Sequence, residues 1–257
     1  EPLDLDLPGG RVRAWAAGLS TAEPRPLLVL MGGIVSTKES YAPPLAEADR
    51  LGMAGIVTEI PGVGENGVPY DAQSWRLLPD LLDAVADRAD VRETYALALS
   101  FSGHLALRAA AADRRIRAVV TTGAPVADFF TDAAWFAGLP RITVDTLAHL
   151  TGTKAEELPG FLRGWALTDE VLSALDIPVA YGVSLRDEII PPGETAHLRR
   201  HLRRLEVLEK DDVHGSPAHV EEVRLWTLLS VLRFRGVTGP LIDGLTAAID
   251  AARRSGR

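Results

Sequence analysis

The stretch that decides the fold is residues 95–110, YALALSFSGHLALRAA. An apolar run stops at Ser100, and a run of small, helix-forming residues follows at once. This pattern predicts a buried strand that passes through a tight turn directly into a helix. A serine on such a turn is lifted out of the sheet, where its oxygen can attack a substrate. Ser100 and Ser102 both lie at the turn, so the stretch predicts a strand–turn–helix unit and a candidate nucleophile.

Spacing favours Ser100 as the nucleophile. The turn requires small residues two positions before and after the nucleophile, because strand and helix approach closely. Ala98 and Ser102 meet that requirement around Ser100, in a relaxed form of G-x-S-x-G. A second register, read from LSFSG, puts Phe101 at the nucleophile position and Leu99 where a small residue is needed. A buried serine that only hydrogen-bonds nearby backbone is the alternative without a catalytic role.

Apolar runs alternate with helical patterns on both sides of this unit. The further buried strands are predicted within residues 26–33, 54–60, 116–125, 177–184 and 204–210. Strands that alternate with helices predict an α/β fold with a doubly wound, mostly parallel sheet. The first 18 residues alternate as an antiparallel strand pair around a Pro-Gly-Gly turn.

The alternation lapses over residues 127–167, which show short helical patterns and no clear strand. We interpret them as a helical cap insertion within a single domain that spans residues 1–257. The insertion contains aromatic side chains that could form an apolar substrate wall, although ordinary core packing explains them equally well. These side chains are Phe129, Phe130, Trp135 and Phe136.

A candidate acid and a candidate base also follow predicted strands. Asp187 lies just beyond the strand within residues 177–184, and Glu188 is its neighbouring competitor. His214 lies in a loop after the last predicted strand, whereas His219 falls in the following helix. The carboxyl ends of parallel strands meet at one edge of a sheet. We therefore expect Ser100, His214 and Asp187 to meet as nucleophile, general base and orienting carboxylate.

This chain order, serine then acid then histidine, resembles that of the α/β-hydrolase superfamily over essentially the whole chain. The resemblance covers the insertion, which stands where that superfamily carries its lid. It implies an oxyanion hole formed by the backbone N–H groups of Ile34 and Phe101, with Gly33 allowing close approach. Val35 beside this loop and His104 in the helix after the turn are candidate substrate contacts.

Several features depart from the usual superfamily pattern. Ala98 and Ser102 replace the glycines of the elbow, and Met31-Gly-Gly replaces the more usual His-Gly. Residues 58–67, TEIPGVGENG, resemble the D-x-P-G-x-G-x-S loop with Glu59 and Asn66 as departures. The segments LLVLMGGIVSTKESYAP, GMAGIVTEIPGVGENGVPYD and ALSFSGHLALRAA are also similar to the atypical α/β-hydrolases of bottromycin-type peptide pathways. That similarity implies an epimerase that acts on an aspartate beside a thiazoline, without a working triad.

Composition excludes several classes of protein. The net charge of -8 argues against a nucleic-acid binder, which needs a basic face. No apolar run reaches the roughly 18–20 residues that would span a bilayer. Cysteine is absent, which excludes Cys-based metal and redox sites and is typical of a cytoplasmic protein. His197 and His201 stand four apart and could bind a metal, but no third ligand is evident, so we expect neither metal nor cofactor.

The pattern predicts an enzyme, most simply a Ser-His-Asp hydrolase or transferase of acyl groups in esters, thioesters or amides. Its expected substrate is a mid-sized, partly apolar, natural-product-like small molecule or peptide. The alternative is a non-hydrolytic member of the fold, the peptide-tailoring epimerase, in which the substrate's own carboxylate serves as base. A binding protein with an inactive site is a third interpretation.

Overall fold

The computed structural model describes residues 1–255, and residues 256 and 257 of the predicted domain lie outside this range. The eight strands are β1 (Pro2–Leu7), β2 (Gly10–Ala17), β3 (Pro26–Met31), β4 (Ala54–Thr58), β5 (Asp90–Ala98), β6 (Ile116–Thr122), β7 (Val179–Ser184) and β8 (Leu205–Lys210). The α-helices are α1 (Ala42–Arg50), α2 (Leu77–Ala84), α3 (Phe101–Ala112), α4 (Asp128–Thr131), α5 (Ala133–Ala137), α6 (Arg141–Thr151), α7 (Leu158–Leu162), α8 (Asp169–Ser173), α9 (Glu194–His201), α10 (Val220–Phe234) and α11 (Pro240–Ser255). Short 3-10 turns cover Lys38–Tyr41, Ser74–Arg76, Arg163–Trp165 and Pro217–His219.

All eight strands form one sheet in the order β1-β2-β4-β3-β5-β6-β7-β8. The first two strands pair antiparallel as predicted, β2 also runs antiparallel to β4, and the remaining neighbours are parallel. The strand order reverses between β3 and β5, where the crevice of a doubly wound sheet forms. The predicted α/β fold with a mostly parallel sheet is thus confirmed.

Helices cover both faces of the sheet. One face packs against α2, α3 and the segment that follows β6, and the other packs against α1, α10 and α11. The central strands are apolar on both faces because both are covered, as their continuous apolar runs predict. No helix within residues 1–255 is long and apolar enough to cross a membrane.

Five short helices, α4 to α8, fill the segment between β6 and β7. They extend over Asp128 to Ser173, slightly beyond the predicted boundary of the insertion. Aromatic pairs join this segment to α3 and to the loop after β4: Phe129 packs edge-to-face on Phe101, and Trp165 on Tyr70. That the segment acts as a cap stays a prediction.

Candidate active site

The turn between β5 and α3 has the conformation of a nucleophile elbow. Ser100 adopts φ 56° and ψ -130°, a region that side-chain-bearing residues rarely enter. Such a conformation costs of order 1–3 kcal/mol and persists only where the surrounding structure imposes it. The Ser100 N–H donates to the Thr122 carbonyl at 2.8 Å, and the Gly103 N–H donates to the Ser100 carbonyl at 2.8 Å. These bonds tie the turn to β6 and to the first turn of α3.

The neighbours of Ser100 are buried and explain the spacing. The Ser102 hydroxyl donates to the carbonyls of Leu99 and Met31 at 2.9 and 3.1 Å. A Cβ on Gly103 would lie 2.0 Å from the Thr121 hydroxyl oxygen, so close packing requires glycine there. The Phe101 side chain is buried, at 2% exposure. The structure therefore places the Ser100 side chain, and not that of Phe101 or Ser102, at the tip of the elbow.

Ser100, His214 and Asp187 form a continuous hydrogen-bonded chain. The Ser100 Oγ lies 2.9 Å from His214 Nε2. On the other side of the ring, His214 Nδ1 lies 2.8 and 3.0 Å from the two carboxylate oxygens of Asp187. In this geometry the carboxylate holds the proton on Nδ1, which leaves Nε2 free to accept the serine proton. The fold thus brings together three residues that lie far apart in the chain.

Asp187 is itself held rigidly. Its Oδ1 accepts the backbone N–H groups of Ile189 and Ile190 at 2.9 and 2.8 Å, and its side chain is almost fully buried. Glu188, the competing acid, instead accepts the backbone N–H of His214 at 3.0 Å. The two carboxylates therefore have different contacts: Asp187 contacts the imidazole ring, and Glu188 holds the loop that carries His214. His219 lies in the 3-10 turn after this loop.

Gly123, which the sequence analysis did not single out, lies directly against the imidazole. It follows β6 with φ +59°, and a Cβ there would lie 2.8 Å from His214 Cε1 and 3.1 Å from its Nδ1. A side chain at this position would push the ring out of line with Ser100. Gly123 lies within the predicted strand region of residues 116–125 and belongs to no recognisable motif, so only the packing shows which group the glycine accommodates.

We expect Gly123→Ala to lower kcat/KM by about a hundredfold, since displacements of about 1 Å in a catalytic group cost on that order. Gly152→Ala is the matched control, because Gly152 has φ +64° but nothing within 4 Å of its added Cβ. Both variants carry backbone strain of order 1 kcal/mol, visible in thermal unfolding, and only the first should lose activity. Equal activity losses in the two variants would contradict the steric role of Gly123.

A cavity of about 1000 Å³ opens at the elbow. At the catalytic end it is lined by Ser100, His214, Gly33, Ile34 and Val35. Val35 is 73% exposed at its rim. The structure thus brings these predicted residues to one site.

The four aromatic residues predicted as a substrate wall are not among the residues that line this cavity. Phe129, Phe130 and Phe136 are buried in the core beneath the insertion, where their rings pack against one another. The Trp135 indole donates to the Ile189 carbonyl at 2.8 Å, beside the loop that carries Asp187. The core-packing alternative describes their placement, because Phe129 packs on Phe101 and Phe130 packs on His104, both on α3.

His104 also lies away from the cavity. It is 5% exposed, packs against Phe130, and its Nε2–H donates to the Trp165 carbonyl at 2.8 Å. Burial lowers the pKa of His104 to about 4, because the interior disfavours the charged ring. The side chain therefore joins α3 to the helical insertion as a neutral donor.

The lowered pKa of His104 predicts a pH-dependent stability. The unfolded chain takes up a proton near pH 6.5, whereas the native ring does so only near pH 4. The free energy of unfolding should fall by roughly 3 kcal/mol as pH drops through this window. His104→Gln keeps a donor for Trp165 but does not titrate. Urea unfolding at several pH values should show a smaller loss for this variant, and an identical loss would contradict the assignment.

The segment after β3 approaches the elbow closely. A Cβ on Gly33 would lie 3.1 Å from the Ser100 Cβ and 3.4 Å from its Oγ. The Phe101 N–H is the first of α3, so it has no acceptor within its own helix. The Ile34 N–H has no backbone acceptor among the described residues. The Ile34 N–H therefore belongs to the residue after Gly33, which lies against Ser100, and the Phe101 N–H belongs to the residue after Ser100 itself.

Buried Lys38 anchors this segment. Its Nζ lies 3.1 Å from Glu59 Oε1 and 2.7 Å from Glu65 Oε2, and its backbone N–H donates to Glu59 Oε1 at 3.1 Å. Burial opposes the charged form, but the hydrogen bonds to Glu65 and Glu59 raise the pKa of Lys38 above its usual value. Glu59, a departure from the usual loop pattern, thus acts as the partner of a lysine that sequence reasoning missed.

The two histidines of α9 point to different partners. His197 Nε2 lies 2.8 Å from Asp128, whereas His201 lies near Asp169 and Ser173. His197, Asp128 and Glu194 do form a cluster with the spacing of metal ligands. Glu194, however, already accepts the backbone N–H groups of residues 126–129. The cluster is explained as a buried cap at the start of α4.

Comparison with known proteins identifies the family. No protein-family profile and no curated protein sequence matches the chain. The chain is 56% identical to the solved structure of AbyA5, with a TM-score of 0.94, over 96% of this chain and 74% of that one. A second structure, of wild-type AbyA5, aligns at a TM-score of 0.95 with 56% identity over 98% and 72% of the two chains.

More distant structures share the fold. The 2,6-dihydroxy-pseudo-oxynicotine hydrolase aligns with a TM-score of 0.71 and 19% identity, over 97% of this chain and 67% of its own. The enol-lactonase from Burkholderia xenovorans LB400 aligns with a TM-score of 0.65 and 15% identity, over 91% and 100% of the two chains. The chain, with its serine elbow and its sheet order, therefore belongs to the α/β-hydrolase family as a relative of AbyA5 and is an enzyme of that fold.

Proposed function

We propose that the chain is a serine hydrolase or acyltransferase that acts on an activated carbonyl. The observation that carries this proposal is the unbroken chain of hydrogen bonds from Ser100 through His214 to Asp187. A hydroxyl is a weak nucleophile unless a base takes its proton as it attacks. His214 is placed to do so, and Asp187 stabilises the imidazolium that results.

The reaction follows in two halves. Ser100 Oγ attacks the carbonyl carbon, its proton passes to His214 Nε2, and the carbonyl oxygen becomes an oxyanion. The N–H groups of Ile34 and Phe101 bind that oxyanion, and each contributes roughly 3 kcal/mol to the transition state. His214 then protonates the leaving group, and the acyl group stays on Ser100. Water, or an acceptor alcohol or amine, attacks the acyl-serine with His214 again as base.

Residues 127–167 serve as a cap in this proposal. Ile142, Thr143 and Thr146 of α6 line the cavity, so this helix covers part of its opening. The substrate is a partly apolar small molecule or peptide of the natural-product type, and the chemistry requires no cofactor or metal. We place the reaction in the cytoplasm, since a chain without cysteine cannot form the disulfide bonds that an oxidising compartment favours.

The epimerase is the second candidate, and it rests on the weaker resemblance to bottromycin-type enzymes. It needs a bound peptide whose own carboxylate removes the proton, and it leaves the triad idle. A serine held in a strained conformation at 2.9 Å from a histidine favours the first candidate. A site that only binds has no need of that strain.

Labelling with a broad fluorophosphonate tests the proposal. We expect an adduct on Ser100 that is absent from Ser100→Ala. Turnover of an ester in water labelled with heavy oxygen should place the label in the released acid. An unlabelled protein, or released acid free of heavy oxygen, would overturn the hydrolytic mechanism. Deuterium uptake at a substrate α-carbon without cleavage would instead support epimerisation.

A further inference from the structure

The cavity does not end at the elbow. It continues across the sheet face that carries α1 and α10, and it passes between these two helices to reach α11. Leucines of the sheet and of α10 and α11 line this inner part, which we call the apolar channel and define by Leu28, Leu30, Leu97, Leu228, Leu232 and Leu245. The buried residues of the insertion pack on the opposite face of the sheet, so the channel is distinct from the space beneath the insertion.

Helix placement produces the channel. The helix α1 packs chiefly on β4 and β2, whereas α10 packs chiefly on β6. The central strands β3 and β5 lie between these two positions. Leu97, one residue before the end of the central strand β5, is only half-buried, although a leucine on a strand covered on both faces is normally fully enclosed. Leu228 and Leu245 are likewise half-buried from the opposite side.

The channel is apolar inside and charged only at its outer edge. Glu47 on α1 and Arg224 on α10 line the cavity and interact electrostatically. The mouth near Ser100 has an apolar rim, because Val35, Ile142 and Val220 line the cavity and are 73%, 69% and 58% exposed. Exposed apolar groups around an apolar cavity indicate a ligand that covers them.

We propose that the apolar channel holds a long, carbon-rich substituent of the substrate, with the reacting carbonyl at Ser100. The position of the carbonyl rests on the proposed function, but occupancy of the channel does not. A cavity of about 1000 Å³ lies at the top of the usual range for ligand sites, about 300–1,000 Å³. A short ester fills only the catalytic end and leaves the leucines without a partner. The substrate class is therefore a lipophilic acyl compound.

Hydrolysis of p-nitrophenyl esters tests the inference through catalysis. We expect kcat/KM to be at least about tenfold higher for the laurate than for the acetate, because each buried methylene adds binding free energy. Leu228→Trp and Leu245→Trp should each lower the laurate-to-acetate ratio by about tenfold by filling the channel. Leu241→Trp, at a 44% exposed position on α11 outside the cavity, is the matched control and should keep the ratio.

Direct binding separates the channel from the chemistry. Dansyl-labelled undecanoic acid should bind Ser100→Ala protein with enhanced fluorescence. The same protein carrying Leu228→Trp or Leu245→Trp should bind it about tenfold more weakly, and one carrying Leu241→Trp should bind it normally. Thermal unfolding verifies that each variant is folded.

The two proposals fail in different ways. Tight probe binding without cleavage of any ester would overturn the hydrolase and leave the channel supported. The channel would be overturned if esters were cleaved without a length preference and the probe bound weakly, or bound equally well with and without the two tryptophan substitutions. The hydrolase would then still be supported.

Discussion

Ser100→Ala is expected to lower kcat by about a million-fold on any acyl substrate that the enzyme accepts, as in triads where the nucleophile is removed. The loss follows from the mechanism, because without Oγ no acyl-serine forms and His214 has no proton to accept. Single-turnover kinetics with mass spectrometry of the intact protein should show acylation of the wild type and none of the variant.

Ser102→Ala is the control on the same elbow. Ser102 hydrogen-bonds the carbonyls of Leu99 and Met31 and is fully buried. Its removal should cost about 1 kcal/mol of stability and leave acylation of Ser100 in place. If Ser102→Ala abolished acylation while Ser100→Ala retained it, the assignment of the nucleophile would be wrong.

Asp187→Asn is expected to lower kcat by about ten-thousand-fold. An asparagine at this position keeps the shape of the side chain, but its amide can donate to His214 Nδ1. The imidazole then carries its proton on Nε2, which faces Ser100 and can no longer accept the serine proton. Raising the pH should recover part of the activity, because hydroxide then takes the serine proton in place of the imidazole.

Glu188→Gln is the matched control for the neighbouring acid. Its amide oxygen can still accept the backbone N–H of His214, which Glu188 accepts at 3.0 Å. We expect a loss of less than about tenfold, since the ring keeps its carboxylate partner. A larger loss in Glu188→Gln than in Asp187→Asn would reassign the acid of the triad.

Local patterns were sufficient to predict the fold and the three polar residues at the strand ends. A strand that is covered on both faces requires a continuous apolar run, so the sequence was sufficient to predict β3 and β5. The elbow could be predicted from the sequence because the close approach of strand and helix tolerates only small residues, here Ala98, Ser102 and Gly103.

The surroundings of the site were not predictable from local patterns. Local patterns left open whether the aromatic residues of the insertion form a substrate wall or pack in the core. Phe129 and Phe130 face the core, because the direction of a short helix is set by what it packs against. His104 was a candidate substrate contact and is instead a buried donor to Trp165. Lys38 and Gly123 carried no recognisable motif, since their roles depend on neighbours far away in the chain.

The sequence by itself determined the sheet, the elbow, and the order of serine, acid and histidine, because periodicity and turn chemistry act over a few residues. Only the tertiary structure decided that Ser100 Oγ and Asp187 contact the same imidazole, at 2.9 and 2.8 Å. It also decided that a leucine-lined channel runs between α1 and α10. Both features depend on how helices settle on the sheet, which is a balance of side-chain volumes across the whole core rather than a property of any one segment.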